Sequence, residues 1–299
     1  MERHEIETFL TLAEELHFGR TTERLGLSQG RVSQTIKKLE RRVGTLLFER
    51  TSRHVALTPI GQQLRDDLLP AHQQILRAIA RATDAGRGIT TALRVGYSGS
   101  WCGDLMMQVG EVFKERRPGG VVYIQEIPLS DPLGPLRAGE LDLQLSEQPI
   151  DEPDITVGPL LFAEPRALML PAAHPLARQK TVSLEDLPRI PWVTLAGDVP
   201  QPLLDYHFPP RTPSGEPVPA GPTATSWQEA QLLVAAGKGA WPCATRAADY
   251  HPRPGVVVVP FSDAPPMEYG LLWTTARETA HIREFVEIAA KLAVSRRAV

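Results

Sequence analysis

The pattern of apolar residues changes once along the chain, near residue 90. Before this point, apolar residues recur every three or four positions, which indicates helices. After it, short runs rich in valine and leucine alternate with helical segments, which is typical of α/β domains. The length of 299 residues is sufficient for two or three structural units. The sequence therefore predicts an α+β multi-domain protein with a helical head and a larger α/β part.

Three short helices and a wing are predicted in the head. The first helix has one apolar face, and the second ends at Gly26. Ser28 is a typical N-cap for the third helix, which ends at Gly44. Apolar residues at 46–48 and 55–57, on either side of a polar turn, predict a two-stranded wing. Three helices joined by tight turns form a helix-turn-helix unit, so we expect a winged helix-turn-helix.

The outer face of the third helix combines small polar residues with cations. Between Ser28 and Arg53 the sequence has seven basic and two acidic residues, in a chain of net charge −3. A charged helix face can simply be solvated. Here, however, hydrogen-bonding residues come first and cations follow, an order that suits base edges and phosphates. We therefore predict base contacts from Gln29, Arg31, Ser33 and Gln34, and phosphate contacts from Lys37, Arg50 and Arg53.

A long helix is predicted after the wing. Thr58 and Pro59 form a typical helix start, and the helical pattern continues to about residue 85. A length of roughly 40 Å exceeds what the small head can cover, so the apolar seam is predicted to pack against a second copy of the chain. The alternative is a helix that lies on the C-terminal part of its own chain. The seam consists of Ile60, Leu64, Leu68, Ala71, Ile75, Ile79 and Ala82.

Beyond residue 92, strands alternate with helices in two similar sets. The predicted strands cover residues 93–97, 121–127 and 141–145 in the first set, and residues 167–170, 192–195, 240–243 and 256–259 in the second. Strand–helix–strand alternation predicts parallel sheets with covering helices. Two such halves, with a final strand and helix that return to the first, describe a two-lobed, periplasmic-binding-protein-like effector domain. Such a domain binds a small molecule in the cleft between its lobes.

Candidate effector-binding residues lie next to the predicted strands and helix starts of both lobes. In the first lobe, backbone N–H groups and hydroxyls at a helix start can hold a carboxylate or a similar group. Each serine can instead be a helix N-cap, and Glu147 and Asp198 near the cleft leave the charge of the effector open. The candidates are Ser98, Ser100, Trp101, Gly197, Asp198, Thr225 and Ser226.

Prolines are dense between Pro200 and Pro222. We favour an irregular surface connector as the interpretation of this segment. The alternative is a lid over the cleft, which the aromatic cluster of Tyr206, His207 and Phe208 favours.

The composition excludes several function classes. The two cysteines, Cys102 and Cys243, are too few for a disulfide framework or a cysteine-based zinc site, so we expect reduced structural thiols. The histidines are scattered, and we expect no metal and no cofactor. The sequence has no signal-peptide pattern and no apolar run of about 20 residues. A cytoplasmic protein without a membrane partner is therefore expected.

An enzyme is not expected, although Ser98 lies in a near match to a nucleophile elbow. The stretch from Gly96 to Ser100 ends in serine where that pattern requires glycine, and no acid–histidine order follows it. Gly237 and Gly239 imitate part of a dinucleotide fingerprint, but they follow a helix and precede a strand. The rival interpretations are a hydrolase that uses Ser98 and a small-molecule receptor with an incidental helical head.

Residues 9–64 resemble the winged helix-turn-helix of the LysR-type transcriptional regulators. The features that carry the resemblance are Phe9, Ala13, Phe18, Leu25, Ser28, Gln29, Val32, Ser33, Ile36, Leu39, Glu40, Gly44, Leu47, Phe48, Glu49, Arg50, Leu57, Thr58 and Gly61. Residues 93–100, 171–177 and 234–244 resemble the effector domain of the family more loosely. This sequence departs from the family pattern at Thr21, Thr22, Gly30, Arg31 and Gln34. These departures leave the fold in place but make the target DNA sequence unpredictable from the family.

The resemblance implies a sequence-specific DNA-binding regulator that a small-molecule effector controls. It implies double-stranded promoter DNA as partner and a homodimer or homotetramer joined through linker helices, with half-sites about one or two helical turns apart. The predicted domains are a winged helix-turn-helix at 1–58, a linker helix at 59–88 and an effector domain at 92–299. Lobe I of the effector domain is predicted at about 92–162 and 262–299, and lobe II at about 163–261.

Overall fold

The structure, a computed structural model, describes residues 2–50, 55–86 and 91–297 of the chain. The chain divides into two compact units, residues 1–82 and residues 83–299. Each unit contains its own buried apolar cluster.

The N-terminal unit consists of three short helices, a two-stranded wing and a long helix. In chain order these are α1 (Arg3–Glu15), α2 (Phe18–Leu25), α3 (Gln29–Val43), β1 (Phe48–Arg50), β2 (Val55–Leu57) and α4 (Pro59–Gly86). The two strands are antiparallel, with Phe48 opposite Leu57. The predicted winged helix-turn-helix is therefore confirmed.

Local capping sets the ends of α3. The Ser28 hydroxyl accepts a hydrogen bond from the backbone N–H of Arg31, which satisfies one of the free donors at the start of the helix. Gly44 ends the helix with φ +84°, a left-handed conformation that favours glycine. The prediction of Ser28 as N-cap and of Gly44 as the end of the helix is confirmed.

One apolar core joins α1, α3 and the wing. It contains Phe9, Leu10, Leu12, Ala13, Ile36, Leu39, Leu47 and Phe48. Gly61 of α4 lies so close to this core that a Cβ atom there would be 2.1 Å from the carbonyl oxygen of Leu47. Glycine is the residue that permits this approach, so the start of α4 is docked tightly on the wing.

The predicted seam of α4 divides into two parts. Leu64 and Leu68 pack against the core of the N-terminal unit. Farther along the helix, Ile75 and Ile79 are 50% and 48% exposed. The sequence predicted that the whole seam packs against a second copy of the chain. Instead, the N-terminal unit covers the first part of the seam itself, because α4 begins next to the wing.

The C-terminal unit contains ten strands and six helices within its described residues. In chain order these are β3 (Thr91–Tyr97), α5 (Ser100–Arg116), β4 (Gly120–Glu126), α6 (Gly134–Ala138), β5 (Leu143–Glu147), β6 (Ile155–Glu164), β7 (Arg166–Pro171), β8 (Trp192–Leu195), α7 (Gln201–His207), β9 (Ala220–Ala224), α8 (Trp227–Ala235), β10 (Trp241–Ala244), α9 (Ala247–Tyr250), β11 (Val256–Pro260), β12 (Met267–Thr274) and α10 (Ala280–Arg297). Short 3-10 helices lie at Pro175–Arg178, Leu184–Arg189 and Thr275–Arg277.

The strands form two lobes. The sheet of the first lobe has the order β4–β3–β5–β12–β6. The second lobe has a three-stranded sheet of order β10–β7–β11 and the pair β8–β9. A bridge between Trp192 and Ala240 connects these two parts of the second lobe. The predicted two-lobed α/β architecture is confirmed.

The sequence predicted parallel sheets, and this holds for the pair β8–β9 but not for the two larger sheets. Only β3, β4 and β5 run parallel in the first sheet, while β12 is antiparallel to both β5 and β6. In the second lobe, β7 is antiparallel to β10 and β11. In the first sheet, β6 was missed because its exposed Val157 and Leu160 and its central Pro159 hide the alternation that marks a strand.

The proline-rich segment between residues 200 and 222 is ordered at both ends. Helix α7 begins with Pro202 in its first turn, where a helix needs no N–H donor. Strand β9 contains Pro222 and pairs with β8 alone among the described strands, an edge position that tolerates proline. The interpretation as an irregular connector was therefore wrong for residues 201–207 and 220–224.

Within the described ranges, no helix combines the length and the apolar run that a bilayer crossing requires.

Candidate DNA-binding surface and effector cavity

Helix α3 presents a polar face opposite its buried one. Val32, Ile36 and Leu39 are fully or almost fully buried and hold the helix against the core. The predicted base-contact residues Gln29, Arg31 and Gln34 are exposed, and Ser33 is half-buried. Lys37, predicted to bind phosphate, is exposed as well. Because residues three and four apart are neighbours on a helix, these side chains form one continuous surface.

Two cations of α3 are bound within the N-terminal unit. Lys38 Nζ lies 2.8 Å from Oε1 of Glu5, and Arg42 Nη1 lies 2.8 Å from Oε2 of the same carboxylate. Glu5 belongs to α1 and is buried. The hydrogen bond from Lys38, with the help of Arg42, lowers the pKa of Glu5 to about 2. These cations therefore fix α3 on α1, a role that sequence reasoning missed.

The wing is fixed through a second buried carboxylate. Oε1 of Glu40, on α3, accepts hydrogen bonds from the backbone N–H groups of Leu47 and Phe48 at 3.1 and 3.3 Å. The backbone of Arg50 belongs to β1. Arg53, the other predicted phosphate ligand on the wing, lies outside the described residues. Glu40 thus couples the position of β1 to that of the exposed face of α3.

A cavity lies between the two lobes of the C-terminal unit. Its walls are largely apolar and aromatic, as is common for small-molecule sites. The aromatic residues of its lining are Trp101, Phe208, Trp227 and Trp241. The polar residues of its lining are Ser98, Glu126, Ser146, Glu147, His207 and His251. Of the seven predicted effector ligands, Ser98 and Trp101 line this cavity.

The other predicted effector ligands make contacts within the protein. Ser100 Oγ lies 3.2 Å from Nε2 of His251. The backbone N–H of Asp198 donates to the carbonyl oxygen of Ser130 at 2.7 Å, and this bond joins the two lobes. A Cβ atom on Gly197, whose φ is +131°, would lie 2.0 Å from the same oxygen. These residues bring the lobes together at the rim of the cleft.

Two further candidates belong to the start of α8. The Ser226 hydroxyl accepts a hydrogen bond from the backbone N–H of Glu229 and caps the helix. The backbone N–H and the hydroxyl of Thr225 both donate to Oε2 of Glu229, at 2.8 and 2.9 Å. The N-cap alternative therefore describes the contact of Ser226, and neither Thr225 nor Ser226 lines the cavity.

Sequence reasoning missed the second-lobe wall of the cavity. This wall includes Leu203, His207 and Phe208, which belong to the proline-rich segment. The aromatic cluster at residues 206–208 was the available signal. It was insufficient because helix α7 and its burial were not predicted.

A buried polar cluster adjoins the cavity. The Tyr269 hydroxyl donates to Oε1 of Glu147 at 3.2 Å, and Nε2 of His207 lies 3.3 Å from Oε2. Burial raises the pKa of Glu147 to about 7 and lowers that of His207 to about 3. Nη1 of Arg166 donates to the carbonyl oxygen of Tyr206 at 2.9 Å, and the guanidinium lies 4.2 Å from the centre of the Tyr206 ring.

Both cysteines are buried. Burial raises the pKa of the Cys102 thiol well above its ordinary value and that of Cys243 to about 12. Thiols in such surroundings are poor nucleophiles, which agrees with the expected structural role.

Two family models match most of the chain. The model of the bacterial regulatory helix-turn-helix protein, lysR family, matches residues 4–62, and that of the LysR substrate binding domain matches residues 86–293. The chain belongs to the LysR family.

Relatives of this LysR-family protein are named as transcriptional regulators. It is 30% identical over 207 residues to the regulator AlsR of Bacillus subtilis, across 69% of this chain and 68% of that protein. It is 29% identical over 279 residues to the regulator IlvR of Caulobacter vibrioides, across 91% and 92% of the two chains. The LysR-family chain is therefore a DNA-binding transcriptional regulator with a substrate-binding domain.

Solved structures of full-length LysR-family proteins share the fold. CbnR has a TM-score of 0.62 at 19% identity, with 98% of this chain and 99% of that chain covered. BenM has a TM-score of 0.53 at 22% identity, with 99% and 97% covered.

Proposed function

We propose that α3 of this regulator enters the major groove of promoter DNA. Gln29, Arg31, Ser33 and Gln34 contact base edges, because arginine can bridge guanine and glutamine can bridge adenine. Lys37, Arg50 and Arg53 hold phosphates. The observation that supports this assignment is the exposed face of α3, from which Glu5 engages Lys38 and Arg42 but neither Arg31 nor Lys37.

The effector binds in the cavity between the lobes. Ser98 and Trp101 contact it from the first lobe, and the wall that contains His207 and Phe208 contacts it from the second. Among the predicted second-lobe residues, Gly197 and Asp198 support lobe closure through their contact with Ser130. Ser100, Thr225 and Ser226 are proposed to act only through the helices that they begin or cap. A ligand shifts the protein between states only as far as it prefers one of them.

The chain acts in the cytoplasm, where its DNA target lies, as a homo-oligomer that pairs through α4. The exposed Ile75 and Ile79 support this assembly, because exposed apolar surface on a long helix favours pairing. The division into a DNA-binding domain at 1–58, a linker helix at 59–88 and an effector domain at 92–299 fits this arrangement.

Two substitutions separate base contact from phosphate contact. Arg31→Ala is expected to change which DNA sequences the protein prefers, with about 1–3 kcal/mol lost at the guanine that it reads. Lys37→Ala is expected to weaken binding to all sequences by a similar factor. Fluorescence anisotropy with a panel of single-base variants of a bound fragment measures both effects. Equal behaviour of the two variants across the panel would overturn the assignment.

A further inference from the structure

The formal charges that face the effector cavity are negative. Glu126 and Glu147 line it, and none of the described lining residues is lysine or arginine. His207 is neutral near pH 7, because burial lowers its pKa to about 3. Burial also lowers the pKa of His251. A bound ligand therefore meets carboxylates and no side-chain cation on the cavity wall.

Glu147 is the carboxylate placed to act on a ligand. It lies deep between the lobes, and its side chain keeps 24% of its surface open. Tyr269 donates to one of its oxygens at 3.2 Å. The nearest guanidinium, that of Arg166, does not line the cavity and is stacked on the ring of Tyr206. Within the described contacts, Glu147 has no salt bridge to lysine or arginine.

The aromatic walls suit an organic cation. Trp101, Trp227, Trp241 and Phe208 surround the cavity, and the faces of such rings attract a desolvated ammonium group. Ser98, a residue 5% exposed, also lines the cavity, and its hydroxyl has no hydrogen-bond partner in the described structure. A hydroxyl can accept a hydrogen bond from an ammonium N–H.

We propose that the effector of this regulator is a small organic cation with an apolar or aromatic body, whose ammonium group pairs with Glu147. The proposal rests on the proposed function, in which this cavity is the effector site. The ammonium gives the carboxylate of Glu147 a positively charged partner, and the body of the ligand contacts the indole and phenyl rings. The Ser98 hydroxyl accepts a hydrogen bond from one ammonium N–H.

An anionic effector is the competing class. The indole N–H groups of Trp101 and Trp227 lack acceptors in the described structure, and so do Nε and Nη2 of Arg166. The two indole N–H groups, however, are neutral donors, which a neutral oxygen or water satisfies, and the Arg166 guanidinium does not line the cavity. Above neutral pH, a carboxylate in the cavity would share it with the charged Glu126 and Glu147, and like charges repel. The cationic class therefore fits the wall better.

The test uses three probes of one shape and three charges: benzylamine, benzyl alcohol and benzoate. Three of the five tryptophans line the cavity, so quenching of intrinsic fluorescence in the full chain reports binding. At about pH 8, benzylamine is expected to bind at least about tenfold more tightly than either of the other probes.

The pH dependence identifies the partner of the amine. The titratable groups that surround Glu147 are Cys102, Arg166, His207, Cys243 and Tyr269. The pKa of His207 is near 3, and the pKa values of both thiols and of the phenol are raised. Glu147, with a pKa of about 7, is thus the member that titrates near neutrality. The affinity for benzylamine is expected to rise about tenfold between about pH 6 and about pH 8 as Glu147 ionises.

Two variants complete the test. Glu147→Gln is expected to remove both the preference for benzylamine and its pH dependence, while benzyl alcohol binds as before. Glu111→Gln, on the exposed side of α5, serves as the matched control and is expected to behave like the parent chain. Equal or tighter binding of benzoate, no saturable quenching by benzylamine, or an unchanged preference in Glu147→Gln would each overturn the proposal. DNA binding by the unliganded chain tests the proposed function separately.

Discussion

Glu5 determines how the exposed face of α3 is held. It is buried at the start of α1 and binds both Lys38 and Arg42 of α3. A buried carboxylate with two cationic partners keeps its charge to low pH, because both partners favour the ionised form. The ion pairs therefore set the angle at which Arg31 and Lys37 are presented.

The stability of the N-terminal unit should depend on pH through Glu5. Its pKa is lowered from 4.5 to about 2 on folding, so its contribution is complete above pH 4.5, falls progressively below that pH and is fully lost once the pH has fallen through about 2. In Glu5→Gln this loss should be absent. Hydrogen exchange of the α1 and α3 amides, corrected for intrinsic rates, gives the free energy of opening of the two helices, which is compared at about pH 5 and about pH 3.

Glu7→Gln is the control for this measurement. Glu7 pairs with Arg3 one turn away on the surface of the same helix. Pairs of this kind contribute only about 0.3–0.5 kcal/mol to stability. The pH dependence of hydrogen exchange in Glu7→Gln should therefore follow that of the parent chain. An acid-dependent loss in Glu5→Gln as large as that of the parent chain would contradict the role assigned to Glu5.

Individual site residues were predictable where the signal was local. Ser28 as a cap and Gln29, Arg31 and Gln34 as exposed residues follow from helical spacing alone. The role of Lys38 was not predictable, because its partner is 33 positions away and the pair depends on how α1 crosses α3. Glu147 could be placed near the cleft, but its contacts depend on Tyr269 and His207 from two distant elements.

At the level of helices and strands, α4 is the proposed surface for assembly. Leu64 and Leu68 are used by the head, whereas Ile75 is half exposed. An aspartate at position 75 would bury a charge at each side of a symmetric interface. Ile75→Asp should therefore raise the dissociation constant of the dimer more than about 100-fold, since each buried isoleucine contributes about 1.5–3 kcal/mol.

Sedimentation equilibrium of the full chain measures this constant. Gln74→Asp introduces the same charge at the neighbouring exposed position of α4 and is the matched control. The parent chain and the control should remain associated at concentrations at which Ile75→Asp is monomeric. An Ile75→Asp chain that associates as tightly as the control would show that α4 does not form the interface.

The strands and helices were predictable to different degrees. Helices α1 to α5 and strands β3, β7 and β8 have clear periodicity and boundaries. Strand β6 and helix α7 were missed because prolines interrupt their patterns, at Pro159 and Pro202. The antiparallel placement of β12 depends on the chain returning from the second lobe, which no local pattern encodes.

The whole molecule consists of two units with separate cores, and each unit presents a different candidate binding surface. The N-terminal unit offers a polar and cationic helix face, and the C-terminal unit offers a cavity that an effector can fill. The effector can change DNA binding only by favouring one arrangement of the protein over another. Within the N-terminal unit, α3 is the element that we propose to hold the DNA.

The salt dependence of binding to the DNA upstream of its own gene tests this role of α3. The chain should retard such a fragment at low ionic strength, and the logarithm of its affinity should fall linearly with the logarithm of the salt concentration. Lys37→Ala should reduce this slope by about 0.9, the value for one phosphate contact, whereas Lys114→Ala, on α5, should leave it unchanged. An absence of binding at low salt, or an unchanged slope in Lys37→Ala, would contradict the account.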